Sequence, residues 1–264
     1  MSKITRSTLL EKKKQGVPIT VLTAYDYTFA KLLSSFGIDV LLVGDSMGMV
    51  MYGHRDTLPV TLTEMVEHTE AVRRGAGDAF VVSDMPFLSY QINEEEAVRN
   101  AGELLRHGAE AVKLEGGTSI CPTIRRMVSA GIPVMGHLGL TPQAIHQLGG
   151  YKVQGKSEES AKTLLEDAKA LENAGCFSIV LECMPAKLAE TITKTIAIPT
   201  VGIGAGNACD GQVLVLQDCL GLTTDIHPKF VKNFGNVRVE VEKAVRQYIE
   251  EVKTRTFPDA EHSY

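Results

Sequence analysis

The chain has 264 residues, a formal net charge of −5 and 44% apolar residues. That length suits one large domain, and the composition is that of an ordinary folded globular protein. The acidic balance argues against a general nucleic-acid binder, which carries a basic patch or stripe. No apolar run approaches the roughly 18 residues of a membrane span. The segment 1–17 is polar and lysine-rich without an apolar core, so it is not read as a signal peptide. The five cysteines (121, 176, 183, 209 and 219) are scattered and lack a CxxC spacing. They read as reduced core residues of a cytoplasmic protein.

In chain order, the patterning predicts one helix and then eight strands, at 18–24, 39–44, 79–83, 110–114, 132–136, 178–181, 198–203 and 213–217. Helices are expected to fill the gaps, with one more at the C-terminus. Gly37, Gly108, Gly131 and Gly175 each stand where a helix should stop and a strand begin, supplying the left-handed residue past a helix end. Thr61 with Glu64 reads as a capping box. Asn93 ahead of Glu94-Glu95-Glu96, and Ser157 ahead of Glu158-Glu159, read as N-caps. Pro142 and Pro185 suit a first helical position. Alternating strands and helices imply a parallel sheet with right-handed crossovers. The expected fold is α/β, a single (β/α)8 TIM barrel over 1–264 with an extra N-terminal helix and a frayed tail at 254–264. An open doubly wound sheet is the structural alternative.

Five of the apolar runs stop at a residue that can do chemistry. Val40 to Gly44 stops at Asp45, Phe80 to Ser83 at Asp84, Val112 to Leu114 at Glu115, Pro133 to Gly136 at His137, and Ile179 to Leu181 at Glu182. Buried parallel strands read as such runs, and a (β/α)8 barrel builds its active site at their C-terminal ends. Asp45, Asp84 and Glu115 follow neighbouring strands. Like charges held close in a partly dry site need neutralising, and an oxygen-liking cation such as Mg²⁺ does that. The alternative is three solvated loop acids or helix caps. Lys113 shares a strand face with Glu115. It reads as a cation for a substrate carboxylate or developing oxyanion, or else as a structural ion pair with Glu115 or Glu182. His137 is either an accessory site residue or a hydrogen-bonded core histidine. Gly202-Ile203-Gly204-Ala205-Gly206 is either a phosphate loop or a tight turn. Gly149-Gly150-Tyr151-Lys152-Val153-Gln154-Gly155 reads as a mobile lid.

Seven stretches together resemble the ketopantoate hydroxymethyltransferase family. They are Thr23-Ala24-Tyr25-Asp26, Val43-Gly44-Asp45-Ser46-Met47-Gly48, Thr57-Leu58-Pro59-Val60-Thr61, Lys113-Leu114-Glu115-Gly116-Gly117, Gly136-His137-Leu138-Gly139-Leu140-Thr141-Pro142-Gln143, and the two glycine-rich loops just named. The resemblance runs from about Thr5 to His262. It implies transfer of a hydroxymethyl group from 5,10-methylenetetrahydrofolate to 3-methyl-2-oxobutanoate through a Mg²⁺-stabilised enolate, in cytoplasmic pantothenate biosynthesis. It also implies a homo-oligomer, a decamer. Residue by residue, Asp45 and Asp84 look like metal ligands and Glu115 a metal-associated acid. Asp45, Ser46, Asp84 and Lys113 look like ketoacid contacts, and Glu182 the proton acceptor. Two rivals remain. A lyase of the isocitrate-lyase type usually carries a Lys-Lys-Cys-Gly-His stretch, which this chain lacks. A non-catalytic metabolite-binding barrel would not need the strand-end acids.

Overall fold

Eight short runs rich in Val, Ile and Leu form the strands: β1 (Ile19–Thr23), β2 (Val40–Val43), β3 (Phe80–Asp84), β4 (Ala111–Glu115), β5 (Val134–Gly139), β6 (Ser178–Glu182), β7 (Thr200–Ile203) and β8 (Gly211–Leu214). All pair in parallel in sequence order, and β8 pairs with β1. The sheet is therefore a closed barrel and not an open doubly wound sheet. The computed structural model describes residues 3–223 and 228–264. It divides into two units, Met1–Leu214 and Val215–Tyr264.

The helices of the first unit are α1 (Arg6–Gln15), α2 (Tyr27–Ser35), α3 (Met47–Val50), α4 (Leu62–Gly75), α5 (Glu94–Arg106), α6 (Cys121–Ser129), α7 (Ile145–Leu148), α8 (Glu158–Ala174) and α9 (Ala186–Thr195). Thr61 and Glu64 make the capping box, and Asn93 and Ser157 cap α5 and α8 through their side chains. Gly37, Gly108, Gly131 and Gly175 all take positive φ. Pro185 instead stands one residue ahead of α9, at its N-cap, because its ψ of 131° is extended.

Two further expectations are corrected. β8 starts and ends earlier than 213–217, because Leu216–Leu220 turns helical as α10. No helix lies between β7 and β8 among the described residues. Parallel neighbours ordinarily need a connection of about a dozen residues or more, yet the segment 204–210 suffices here. Gly204 and Gly206, with φ of 63° and 82°, supply the sharp bends.

Side chains alternate across each strand, and two buried layers result. One joins Val21, Leu42, Phe80, Val82, Ala111, Met135, Val180, Val201 and Val213 inside the barrel. The other joins Leu41, Val43, Val81, Leu114, Ile179 and Leu181 to the surrounding helices. Asp84, Lys113, Glu115, His137 and Glu182 fall in the inward-facing register of their strands, so the alternation that fills the barrel also aims them into its mouth.

The opposite end is closed by the extra helix. Leu9 of α1 is buried with the interior layer. Asp39 accepts hydrogen bonds from the Thr20 amide and hydroxyl, and Asp210 from those of Thr200. Glu110 accepts from the Val81 amide. Lys12, Lys13 and Lys3 lie 2.6, 2.8 and 2.8 Å from these three acids in turn. In the second unit, α11 (Val237–Thr254) buries none of its residues and exposes Val241, Val245, Tyr248, Ile249 and Val252.

Candidate active site

Strand register brings the predicted residues together. Asp84 pairs with Lys113 across β3 and β4, Glu115 with His137 across β4 and β5, and Gly139 with Glu182 across β5 and β6. Asp45 is the second residue past β2, and its backbone N–H donates to Asp84 Oδ2 at 3.1 Å. Lys113 Nζ lies 3.1 Å from Asp84 Oδ1 and 3.3 Å from His137 Nδ1. The imidazole continues the chain of contacts, with Nδ1 3.5 Å from Glu115 Oε1 and Nε2 3.1 Å from Glu182 Oε2. Asp45, Asp84, Lys113, Glu115 and His137 are all 7% exposed or less, which rules out solvated loop acids. Glu182 is half-buried. Lys113 pairs with Asp84, rather than with Glu115 or Glu182 as its structural reading supposed. Ser46, half-buried, shares a 2.9 Å hydrogen bond with the Tyr25 hydroxyl.

Charge is unbalanced within this cluster. Burial pushes the Asp45 carboxyl well above the usual range, and the neighbouring Asp84 and Glu115 push it further. Burial also raises Asp84, although Lys113 and the Asp45 amide pull against it. Burial alone would raise Glu115, but the hydrogen bond and charge of His137, with Lys113, outweigh it and leave Glu115 low. Burial opposes the charge on Lys113, yet Asp84, Glu115 and Asp45 together hold it firmly protonated. For His137, burial and Lys113 act downward, and Glu115 and Glu182 overcome them to lift the imidazole to about 9.

These residues suit an oxygen-liking cation. Asp84 Oδ1 is fully buried and receives no well-directed hydrogen bond, despite the nearby ammonium. Asp45 and Asp84 offer hard oxygen donors, the kind Mg²⁺ prefers. Among the described residues, no three Asp, Glu, His or Cys groups form a ready-made metal cage. A cation here would therefore complete its shell with water and substrate oxygens, as Mg²⁺ commonly does.

Gln143 is a site residue that sequence reasoning missed. It is 7% exposed, and its Nε2 donates to Asp45 Oδ2 and to the Met85 carbonyl, both at 2.9 Å. Its Oε1 accepts from the Tyr90 hydroxyl at 2.8 Å, and its backbone N–H donates to Glu115 Oε2 at 2.9 Å. One amide residue thus positions two of the three acids. A neutral residue carries no charge pattern, and the sequence signal was only the Thr141-Pro142-Gln143 run just past a strand end.

The two glycine-rich loops differ. Gly206 packs so closely on Ala186 that a Cβ would collide with it, and Gln212 donates to the Gly206 carbonyl. That is a tight turn between β7 and β8. The loop 149–155 starts at left-handed Gly149 and Gly150. The Gln154 N–H donates to the carbonyl of Cys183, the neighbour of Glu182, and the Tyr151 hydroxyl reaches Met49 Sδ at 3.8 Å. The loop therefore runs along the mouth. Cys183 itself is half-buried, and burial pushes its thiol up to about 11, so it is no ready nucleophile.

A family profile described as ketopantoate hydroxymethyltransferase matches residues 3–260. The chain belongs to this family. A 3-methyl-2-oxobutanoate hydroxymethyltransferase of Syntrophus aciditrophicus (strain SB) is 58% identical over 263 residues, covering 99% of this chain and 97% of that one. One of the same name from Enterococcus faecalis (strain ATCC 700802 / V583) is 54% identical, covering 99% and 96%. Membership makes the chain an enzyme that moves a hydroxymethyl group, so a one-carbon donor and a small-molecule acceptor are implied. Among solved structures, a phosphonopyruvate hydrolase in complex with oxalate and Mg²⁺ superposes with a TM-score of 0.63 at 13% identity, over 99% of this chain and 93% of that one. A 2,3-dimethylmalate lyase of the PEP mutase/isocitrate lyase superfamily gives 0.60 at 18%, over 98% and 91%. At such identities the likeness is one of fold. No helix among the described residues is long and apolar enough to cross a membrane.

Proposed function

We propose that this member of the family transfers the one-carbon unit of 5,10-methylenetetrahydrofolate to C3 of 3-methyl-2-oxobutanoate, giving 2-dehydropantoate for pantothenate biosynthesis in the cytoplasm. The observation that carries this reading is the arrangement of the buried cluster. A cation-hungry pair, Asp45 and Asp84, stands at one side, and a carboxylate suited to proton abstraction, Glu182, at the other. Lys113 and His137 link them. Mg²⁺ held by Asp45 and Asp84, with Glu115 contacting a coordinated water, would supply positive charge to the keto and carboxylate oxygens of the ketoacid.

The chain's own groups do the rest. Ser46 and Lys113 orient the ketoacid, and Lys113 opposes negative charge developing on its oxygen. Glu182 takes the C3 proton, and the C–H electron pair becomes the enolate. The enolate carbon bonds to the methylene carbon of the opened donor. Water's oxygen bonds to that carbon as the remaining carbon–nitrogen bond breaks, and tetrahydrofolate departs with two protons, one returned by Glu182 and one from the water. Charged His137 steadies Glu182 before that carboxylate accepts the proton.

The exposed apolar residues of α11 support assembly into a homo-oligomer, which for this family reading is a decamer. The test of the reaction is incubation with 3-methyl-2-oxobutanoate, Mg²⁺ and 5,10-methylenetetrahydrofolate. Formation of 2-dehydropantoate, detected by mass, is expected in the wild type and lost in Glu182→Gln. Absence of product from the wild-type protein would overturn the assignment.

A further inference from the structure

A cavity of about 430 Å³ opens beside the carboxylate cluster. Its walls come from the end of β4 and from the segments that follow β3, β4 and β5, with Leu58 from the segment after β2. Its size falls in the range of small-molecule sites, ~300–1,000 Å³. Glu115 and Gln143 line it, whereas Asp45, Asp84 and Lys113 do not. The cavity therefore shares a wall with the ketoacid site without being that site. It is also far larger than a five-carbon ketoacid requires.

We infer that this cavity receives the heteroaromatic end of the one-carbon donor, a reduced pterin. The inference rests on the reaction proposed above. The lining matches a flat ring with polar edges. Phe87 and Ile120 offer apolar faces, and Phe87 stays 38% exposed in the cavity wall. An exposed aromatic in such a wall suits stacking. Gln91, His146 and Gln147 offer hydrogen-bonding edges. His146 and Gln147 are exposed, and their side chains make no hydrogen bond to other described residues, so their donors and acceptors are free for a ligand. Small-molecule sites combine apolar walls with a few such polar groups.

The shared wall has a chemical purpose. Glu115 forms the boundary between the ketoacid and the donor, and Gln143 fixes that boundary by holding both Glu115 and Asp45. A donor seated in the cavity therefore brings its methylene carbon to the edge of the ketoacid site. Preorganised approach of two reactants is worth more than any single contact.

The test separates the two substrates. Tetrahydrofolate binding is measured by calorimetry with Mg²⁺ and ketoacid present. Exchange of the ketoacid C3 proton for deuterium is measured without folate. Ser119→Trp fills the cavity from an exposed position on the wall, and Phe87→Ala with Gln147→Ala strips it. Ser119→Trp should weaken tetrahydrofolate binding by more than about tenfold, and the stripped double variant by about tenfold, equivalent to ~1.4 kcal/mol. Exchange should stay within about twofold of wild type in both, because neither variant touches groups that hold the ketoacid. Unchanged tetrahydrofolate affinity in Ser119→Trp would overturn the inference. Loss of exchange alongside binding in a variant with wild-type thermal stability would also overturn it, since the cavity would then serve the ketoacid. A wild-type protein that neither exchanges nor binds tetrahydrofolate would instead sink the underlying reaction.

Discussion

His137 lies between Glu115 and Glu182, and its charge state shapes the site. Its ordinary value is about 6.5, and the folded protein lifts it to about 9. A folded-state value above the unfolded one gives stabilisation that is complete below about pH 6.5 and lost as pH rises through about 9. In metal-free protein, His137→Asn should therefore be markedly less stable than wild type near pH 6. The gap should reach up to a few kcal/mol, since each tenfold rise in proton affinity is worth ~1.4 kcal/mol. The gap should narrow by about pH 9.5, where most wild-type rings have lost the proton. Urea unfolding at both pH values checks this, and an equal gap at both would mean the ring is not charged at neutral pH. At this scale the acids were legible, because each ends an apolar run and shares the inward register of its strand. Gln143 was not. Its bond to Asp45 joins residues 98 apart in sequence, and an uncharged amide in a loop carries no signature of the partners that folding brings to it.

Elements position these residues through backbone contacts as much as through side chains. Gly139, the last residue of β5, has φ of 97° and sits against the Glu182 carbonyl oxygen, where a Cβ would collide. The next residue, Leu140, donates its N–H to that same oxygen at 2.9 Å. Gly139→Ala should therefore combine a strained φ with a forced separation of β5 from β6, for a loss of about 2–4 kcal/mol. It should also slow C3 exchange by displacing Glu182. Denaturation midpoints and exchange rates on the same preparation test it, and a stable variant with normal exchange would show that the strands can part there without consequence. Helix boundaries were readable because caps and C′ glycines are local devices, as Thr61 with Glu64 and left-handed Gly175 show. The start of β8 was not. Val213 to Gln217 is apolar enough to read as strand, and only pairing with Ile19 to Leu22 on the first strand selects 211–214.

The whole molecule separates chemistry from fastening. The mouth gathers charges that oppose burial, while the far end pairs Lys3, Lys12 and Lys13 with Glu110, Asp39 and Asp210. That separation was half legible. Eight strands with intervening helices pointed to a barrel, but nothing in Lys3 or in Lys12 and Lys13 of α1 marked their partners. The second unit presents an apolar stripe on α11, since Val241, Val245, Tyr248, Ile249 and Val252 recur at helical spacing and remain exposed. If that stripe is an oligomer contact, Val245→Glu with Ile249→Glu should lower the mass measured by light scattering while leaving far-ultraviolet circular dichroism unchanged. An unaltered mass would remove α11 from the assembly surface.

The clamp between Lys13 and Asp210 has a consequence for synthesis. The two residues are 197 positions apart, so α1 leaves the ribosome long before its partner exists. At roughly 5–20 residues per second, the wait lasts about 10–40 s. Throughout it Leu9 has no closed barrel to enter, because β8, which follows Asp210 directly, is the last strand made. The helix ahead of β1 can meet Asp39 early through Lys12, yet its Lys13 clamp closes only when Asp210 and β8 have been made. Stalled nascent chains ending before Asp210 should be cut by protease within α1, and chains released after β8 should resist cutting there.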